Sequence, residues 1–343
     1  MAFTRQALES RDHLVLADNL TLLSVLPDSS CDLVYIDPPF ATGKRRESPQ
    51  QKAGPEGFDD VWDSLEHFIQ WLAPRLAGLW RILSDAGNLI IHLDTRAVHH
   101  VRLHCDREFG IEHWENEIIW HYTGGGRSKK RFSRKHDVLL WYSKGPDRAF
   151  NIDTIREPYK PTSGYARGGI VSKKGKKYLP HPEGTPADDV WDIPIVNPLA
   201  SERTAYPTQK PLKLLERIIA ALSSPGSIVC DVFSGSGTTA LACRKLGRRF
   251  LCCDSNPSAI WVTLDRLREH DPIAQPPALL SQALYRLPAA SADSLEGAAD
   301  EFARDGLGIE SPGTFSAIPA PWAKRRNPPP PLARGDSIAW IAS

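Results

Sequence analysis

Four short apolar runs in the chain each end on an acidic residue: Leu33-Val34-Tyr35-Ile36 before Asp37, Leu89-Ile90-Ile91-His92-Leu93 before Asp94, Ile228-Val229-Cys230 before Asp231, and Phe250-Leu251-Cys252-Cys253 before Asp254. Such runs lack the in-out alternation of a half-exposed strand. They predict strands covered on both faces, as in a parallel sheet. Segments of helical period lie between them. Phe68, Leu72, Leu76, Leu79, Trp80 and Leu83 mark one apolar face, and Leu212, Leu215, Ile218, Ile219 and Leu222 mark another, with Pro211 suited to the first turn. Strands alternating with helices predict an α/β fold with a doubly wound, mostly parallel, Rossmann-like sheet.

Two stretches break this pattern. Glu117–Tyr122 and Val138–Tyr142 flank a Gly124-Gly125-Gly126 turn region and a basic stretch, which predicts an antiparallel pair with a mobile, positively charged connection. From there to about 205 the chain is rich in Gly, Pro and Lys with little periodicity, as expected of an inserted, loop-rich module. After about 271 it turns to Ala and Pro, ending in the Pro328–Pro331 run, and carries no recognisable chemistry.

Composition narrows the classes. A length of 343 residues allows one large domain with an insertion, or two domains. The formal net charge of +1 means that nucleic-acid affinity has to come from local clustering. Six cysteines without a CxxC pair suit buried thiols in a reducing cytosol better than a disulfide frame or a zinc site. With no signal-peptide run and no window near the roughly 18 apolar residues of a membrane span, the expected location is the cytoplasm, with no membrane partner.

The segment Ser227–Thr239 reads as a strand, a tight turn through Ser234-Gly235-Ser236-Gly237, and a helix. Glycines there permit positive φ and let backbone N–H groups approach a ligand. The next strand ends at Asp254, where a carboxylate can accept both ribose hydroxyls of a nucleoside. The loop is not GxGxxG, and no Lys follows its second Gly. Thr42-Gly43-Lys44 lacks the upstream glycine of a phosphate loop. A non-phosphorylated adenosine ligand fits best, and an ordinary glycine turn is the competing reading.

Asp37-Pro38-Pro39-Phe40 follows a buried strand at the sheet edge where α/β folds bind ligands. Two prolines make a stiff corner with outward-facing carbonyls. An exocyclic amino group of adenine or cytosine is a poor nucleophile, because its lone pair is delocalised into the ring. The Asp37 carboxylate and the Pro38 carbonyl, each accepting one N–H, can aim that lone pair at a methyl donor while Phe40 stacks on the base. C5 methylation of cytosine uses a Pro-Cys turn, and the chain has no such dipeptide.

Together and in this order, the corner and the glycine loop resemble the beta class of DNA amino-methyltransferases. The likeness spans about 12–268 and includes Leu16-Ala17-Asp18-Asn19, Tyr206-Pro207-Thr208-Gln209-Lys210-Pro211, and Asp188–Ile193 through Asn197-Pro198. It implies a circularly permuted motif order, S-adenosylmethionine as cofactor, and methyl transfer to adenine N6 in double-stranded DNA after base flipping. By that resemblance Asp18 contacts the cofactor adenine and Asp254 its ribose. Thr208, Lys210, Asp231, Phe233, Ser234, Gly235, Ser236, Gly237, Thr238 and Thr239 surround the methionine end, and Asp37 touches both base and cofactor. Residues 1–122 and 206–270 then form the catalytic and cofactor-binding domain, 123–205 the target-recognition insertion and 271–343 an extension of unknown role. Homodimerisation and a separate restriction endonuclease are the further partners such a resemblance suggests. The loop departs from the family with Asp231-Val232-Phe233-Ser234, and the corner ends in Phe40 where Tyr is more frequent.

Arg127, Lys129, Lys130, Arg131 and Arg134, then Lys173, Lys174, Lys176 and Lys177, are the candidate phosphate contacts, with Phe132, Tyr159, Tyr165 and Tyr178 interleaved. A solvated charged face is the alternative. His100 and His104 have helical spacing but lack the Glu of HExxH, so no metal site is expected. The competing functions are N4-cytosine methylation, an RNA or protein substrate, and a non-enzymatic adenosine-binding protein associated with DNA.

Overall fold

The computed structural model describes residues 3–46, 58–124, 127–204, 206–271 and 275–281. The strands in chain order are β1 His13–Leu16, β2 Cys31–Ile36, β3 Lys44–Arg46, β4 Phe58–Asp60, β5 Leu83–Leu93, β6 Trp114–His121, β7 His136–Ser143, β8 Ile170–Val171, β9 Lys177–Tyr178, β10 Val190–Asp192, β11 Ile228–Asp231, β12 Arg249–Asp254 and β13 Ala278–Ser281. The helices are α1 Arg5–Ser10, α2 Asn19–Val25, α3 Leu65–Ile82, α4 Val98–Glu108, α5 Gly164–Gly168, α6 Leu212–Leu222, α7 Thr238–Leu246 and α8 Pro257–His270.

Nine strands form one sheet in the order β10-β6-β7-β5-β2-β11-β12-β1-β13. The six from β5 to β13 run parallel, and β7 lies antiparallel between β5 and β6. The four acid-ended runs are β2, β5, β11 and β12, and the expected antiparallel pair is β6 with β7. Alternate residues of one strand enter two separate cores. Val34 and Ile36 pack with α2, α3 and α4, whereas Leu33 and Tyr35 pack with α6, α7 and α8. That two-sided burial is why these strands read as continuous apolar runs.

From the central β2–β11 pair the chain winds outward in opposite directions. β2 is followed by α3 and β5 on one side, and β11 by α7 and β12 on the other. The crevice at the carboxyl ends of such a pair is where an open α/β sheet receives a ligand.

Some details differ from expectation. Pro211 is the residue before the first turn of α6 rather than inside it, with ψ near 139°. Three strands of the nine-stranded sheet went unrecognised: β1, β10 and β13, of four, three and four residues, too short for periodicity to register. Strands β7 and β10 lie within 123–205 yet belong to the main sheet, and β13, within the extension, pairs with β1. Gly125 and Gly126 of the turn region and residues 282–343 lie outside the described residues. All six cysteines are free and buried. Among the described residues no helix is long and apolar enough to cross a membrane.

Candidate active site

Strands β2 and β11 are neighbours in parallel register, with Leu33 opposite Val229 and Val34 opposite Cys230. Their carboxyl ends therefore emerge one inter-strand spacing apart, about 4.8 Å. The corner after Ile36 meets the turn after Asp231, although the two are distant in sequence. A cavity of about 510 Å³ opens there. Asp18, Asp37, Thr208, Lys210, Asp231, Phe233, Ser234, Gly235, Ser236, Thr238, Thr239 and Asp254 all line it, and Pro39 does too. Gly237 is the N-cap residue just ahead of α7.

The loop is shaped by backbone constraints. Gly235 and Gly237 have φ of 48° and 73°, and the Gly237 N–H donates to the Ser234 carbonyl at 2.8 Å. A Cβ on Gly237 would lie 2.3 Å from Thr263 Oγ1, and that side chain is fully buried and bonded to the Ala259 carbonyl. The turn delivers the first-turn amides of α7 to the cavity edge, where a helix leaves donors unsatisfied. Ser234 Oγ is buried and makes no hydrogen bond among the described residues.

Two carboxylates flank the loop. Asp254 accepts from the Gly235 amide at 2.8 Å and the Asn256 amide at 2.9 Å, yet burial pushes its pKa up. Asp231 is buried, and burial drives its pKa to about 7, against hydrogen bonds from Thr239 Oγ1 at 2.5 Å and the Phe233 amide at 3.0 Å. The nearby charges of Asp37 and Asp254 add to the rise. A cavity edged by such acids favours a ligand that brings positive charge and hydroxyl donors. Asp18 caps α2 through the Leu20 amide at 2.9 Å, and its other oxygen lies 3.6 Å from Arg75. The Arg75 guanidinium sits 3.9 Å over the Trp71 ring and donates to Asn19 at 2.7 Å. Thr208 holds φ of 60°, a strained value for a β-branched residue.

On the opposite wall, Lys210 Nζ lies 2.5 Å from Asp37 Oδ2 and 4.9 Å from the centre of the Phe40 ring. The chain after the corner is tied down by Asp60, which accepts from the Thr42 amide at 3.1 Å and hydroxyl at 2.5 Å. Thr42-Gly43-Lys44 thus opens the β3–β4 ribbon.

Sequence reasoning missed the network behind the corner. His92 of β5, fully buried, joins Tyr35 Oη at 2.8 Å to Asp137 Oδ2 at 3.3 Å, and Tyr122 Oη donates to Asp137 Oδ1 at 3.1 Å. The signal was a histidine inside a run otherwise apolar on both faces, since a buried polar group has to find partners. Arg75 and Trp71, also on the cavity wall, stand in a segment that carries no motif, and Tyr206 lines the wall from the 206–211 segment without having been singled out.

All nine candidate DNA-contacting cations are exposed and fall in two places. Arg127, Lys129, Lys130, Arg131 and Arg134 occupy the β6–β7 connection, closed at its base by the Tyr122 amide donating to the Lys135 carbonyl at 2.9 Å. Tyr122 itself reaches Asp137, so this loop springs from beside the corner. Lys173, Lys174, Lys176 and Lys177 belong to the β8–β9 hairpin.

The DNA methylase family, which groups N6 and N4 enzymes, matches residues 31–264. The DNA adenine methyltransferase YhdJ of Escherichia coli (strain K12) is 32% identical over 252 residues, covering 73% of this chain and 80% of that protein. Type II methyltransferase M1.MboII of Moraxella bovis is 31% identical, covering 68% of this chain and 88% of that one. Among solved structures, the PvuII cytosine-N4-specific DNA methyltransferase shares the fold at a TM-score of 0.55 and 16% identity, covering 77% of this chain and 88% of that chain. With its corner and glycine loop on one cavity and this match over most of its length, the chain belongs to the DNA methylase family.

Proposed function

We propose that the protein methylates N6 of adenine in double-stranded DNA, with S-adenosylmethionine as donor. The observation that carries this reading is Asp37 on the same cavity as the glycine loop, anchored through one oxygen by Lys210. The donor supplies an electrophilic methyl group on a sulfonium. Its fit is supported by the raised pKa values of Asp231 and Asp254, by the unpaired Ser234 hydroxyl and by the α7 amides. Asp231, Lys210, Thr208 and residues 233–239 hold the methionine end, Asp254 the ribose, and Asp18, beside Arg75 and Trp71, the adenine.

Phe40 stacks on the flipped base, while Asp37 and the Pro38 carbonyl each accept one amino N–H. A donor so held would offer its methyl carbon in line to the amino nitrogen, so that N–C would form as S–C breaks, with the electron pair going to sulfur. The methylated nitrogen then gives up one proton to Asp37 or water. Within the recognition region, residues 123–205, the exposed cations of the β6–β7 connection and the β8–β9 hairpin bind DNA phosphates, while 1–122 and 206–270 carry the corner and the donor site.

The fold serves N6 and N4 chemistry alike, so the choice of base rests on Asp37, where the cytosine enzymes of the class more often carry Ser, and on the likeness to an adenine methyltransferase. Single-molecule sequencing of DNA from cells expressing the protein tests it. N6-methyladenine in a defined motif is expected, and exclusive N4-methylcytosine would overturn the choice of base.

A further inference from the structure

We propose that His92 and Asp137 form a positioning pair that keeps one oxygen of Asp37 open for the amino group of the target base. The proposal rests on the methyltransferase reading above. Asp37 Oδ2 is occupied by Lys210, whereas Oδ1 lies 3.9 Å from His92 Nδ1, beyond hydrogen-bond range. A proton on that ring nitrogen, brought a few tenths of an ångström closer, would engage Oδ1. The incoming N–H would then meet an oxygen already in use.

The surrounding hydrogen bonds prevent this. An ionised carboxylate accepts and cannot donate, so the proton between His92 Nε2 and Asp137 Oδ2 belongs to the imidazole. With its proton on Nε2, the ring presents Nδ1 as an acceptor, and the Tyr35 hydroxyl donates to it at 2.8 Å. Asp137 stays in the accepting form. Its other oxygen receives the Tyr122 hydroxyl at 3.1 Å, so both oxygens act as acceptors. The His92 ring also packs 5.7 Å from Phe40 and 5.4 Å from Trp120, so it sets the tilt of the aromatic face offered to the base. A fully buried imidazole with both nitrogens satisfied is costlier to place than an aliphatic side chain of similar size. Its position one contact behind the corner gives that cost a purpose.

The test compares Tyr35→Phe, Asp137→Asn, their double variant, His92→Gln and His92→Leu with wild type and Asp37→Ala in the full-length protein. Single-turnover transfer of labelled methyl to unmodified genomic DNA is measured alongside S-adenosylmethionine affinity and melting temperature. Tyr35→Phe and Asp137→Asn are expected to slow transfer about 10- to 100-fold, with donor affinity within about twofold. The double variant should be no slower than its slower parent, because Tyr35 and Asp137 both act through His92. His92→Gln, able to accept at one end and donate at the other, should retain more activity than His92→Leu. Wild-type rates for Tyr35→Phe and Asp137→Asn beside an inactive Asp37→Ala overturn the proposal alone, as do rate losses that merely track donor affinity and melting temperature. A wild-type protein that transfers no methyl to DNA, or a fully active Asp37→Ala, overturns the reading beneath it.

Discussion

On the glycine-loop side of the cavity, the lining comes mainly from one stretch, residues 231–239, and from a carboxylate at the end of the next strand. Much of what matters there is backbone: two left-handed glycines, the first amides of α7, and a closed approach where Thr263 leaves no room for a Cβ. On the corner side the groups are side chains drawn from four strands of the sheet. Asp37 follows β2, His92 lies on β5, Asp137 on β7 and Tyr122 just past β6. A wall made of backbone is damaged by adding atoms, and a wall made of hydrogen-bonded side chains by exchanging them. The two halves should therefore fail in different ways when altered.

The largest effect is expected on the corner side. Asp37→Asn keeps the shape but removes the charge and one acceptor, so transfer to DNA should fall by on the order of 10²–10³-fold, the loss typical of one preorganised electrostatic partner. Asp37 is only 16% exposed and paired with Lys210, so circular dichroism and melting are needed beside the rate to show that the fold survives. A variant that keeps its full rate would remove the distinction between the two walls. On the other side, Gly237→Ala asks a Cβ to occupy space held by Thr263 at a φ of 73°. The left-handed conformation alone costs about 1–2 kcal/mol. We expect donor affinity, measured by calorimetry, to fall by about 30-fold or more with the clash included. The Lys210–Asp37 and Tyr35–His92 bonds should remain, visible as an unchanged corner in a crystal structure of the variant.

This difference also governed what could be read from sequence. The glycine loop and the corner are contiguous, so residue type and spacing alone carried their geometry, down to the acid that closes the next strand. The doubly wound sheet was legible from two-sided burial, because Leu33 and Val34 serve different cores and leave no polar position between them. Tyr35, His92, Asp137 and Tyr122 were not legible as a group. They meet only through the pairing of β2 with β5, β5 with β7 and β7 with β6, and no local spacing encodes strand neighbours. Strands β1, β10 and β13 escaped for another reason. Each is three or four residues long and takes its place from the strand beside it, not from its own pattern.

Titration sharpens the comparison further, since the raised carboxyl belongs to the loop side. In the unliganded fold Asp231 holds its proton to about pH 7, far above its ordinary value near 3.8. The stability tied to that proton is present below the unfolded pKa and is lost as pH rises through about 7. A cationic donor reverses the preference, because its positive charge favours the ionised carboxylate. S-adenosylmethionine affinity should therefore rise about tenfold from pH 6 to pH 8, as the fraction of ionised Asp231 rises. Calorimetry at the two values measures it. In Asp231→Asn the slope should vanish, and a slope that persists would assign the titration to another group.

The smallest effect is expected where the two modes of construction overlap. Thr208 lies on the cavity wall with φ of 60°, so it combines a strained backbone with an exposed-to-ligand side chain in a segment that also presents Lys210. Nothing about a threonine favours that conformation, whereas asparagine tolerates it readily. Thr208→Asn should then stabilise the unliganded protein by about 0.5–1 kcal/mol in urea denaturation. If the strain is retained for the hydroxyl it aims at the cavity, the same change should weaken donor binding several-fold while leaving the DNA affinity of the basic loop untouched. Stabilisation with no loss of donor affinity would mean that Thr208 contributes only its place in the chain. The loop side would then owe its specificity to backbone alone.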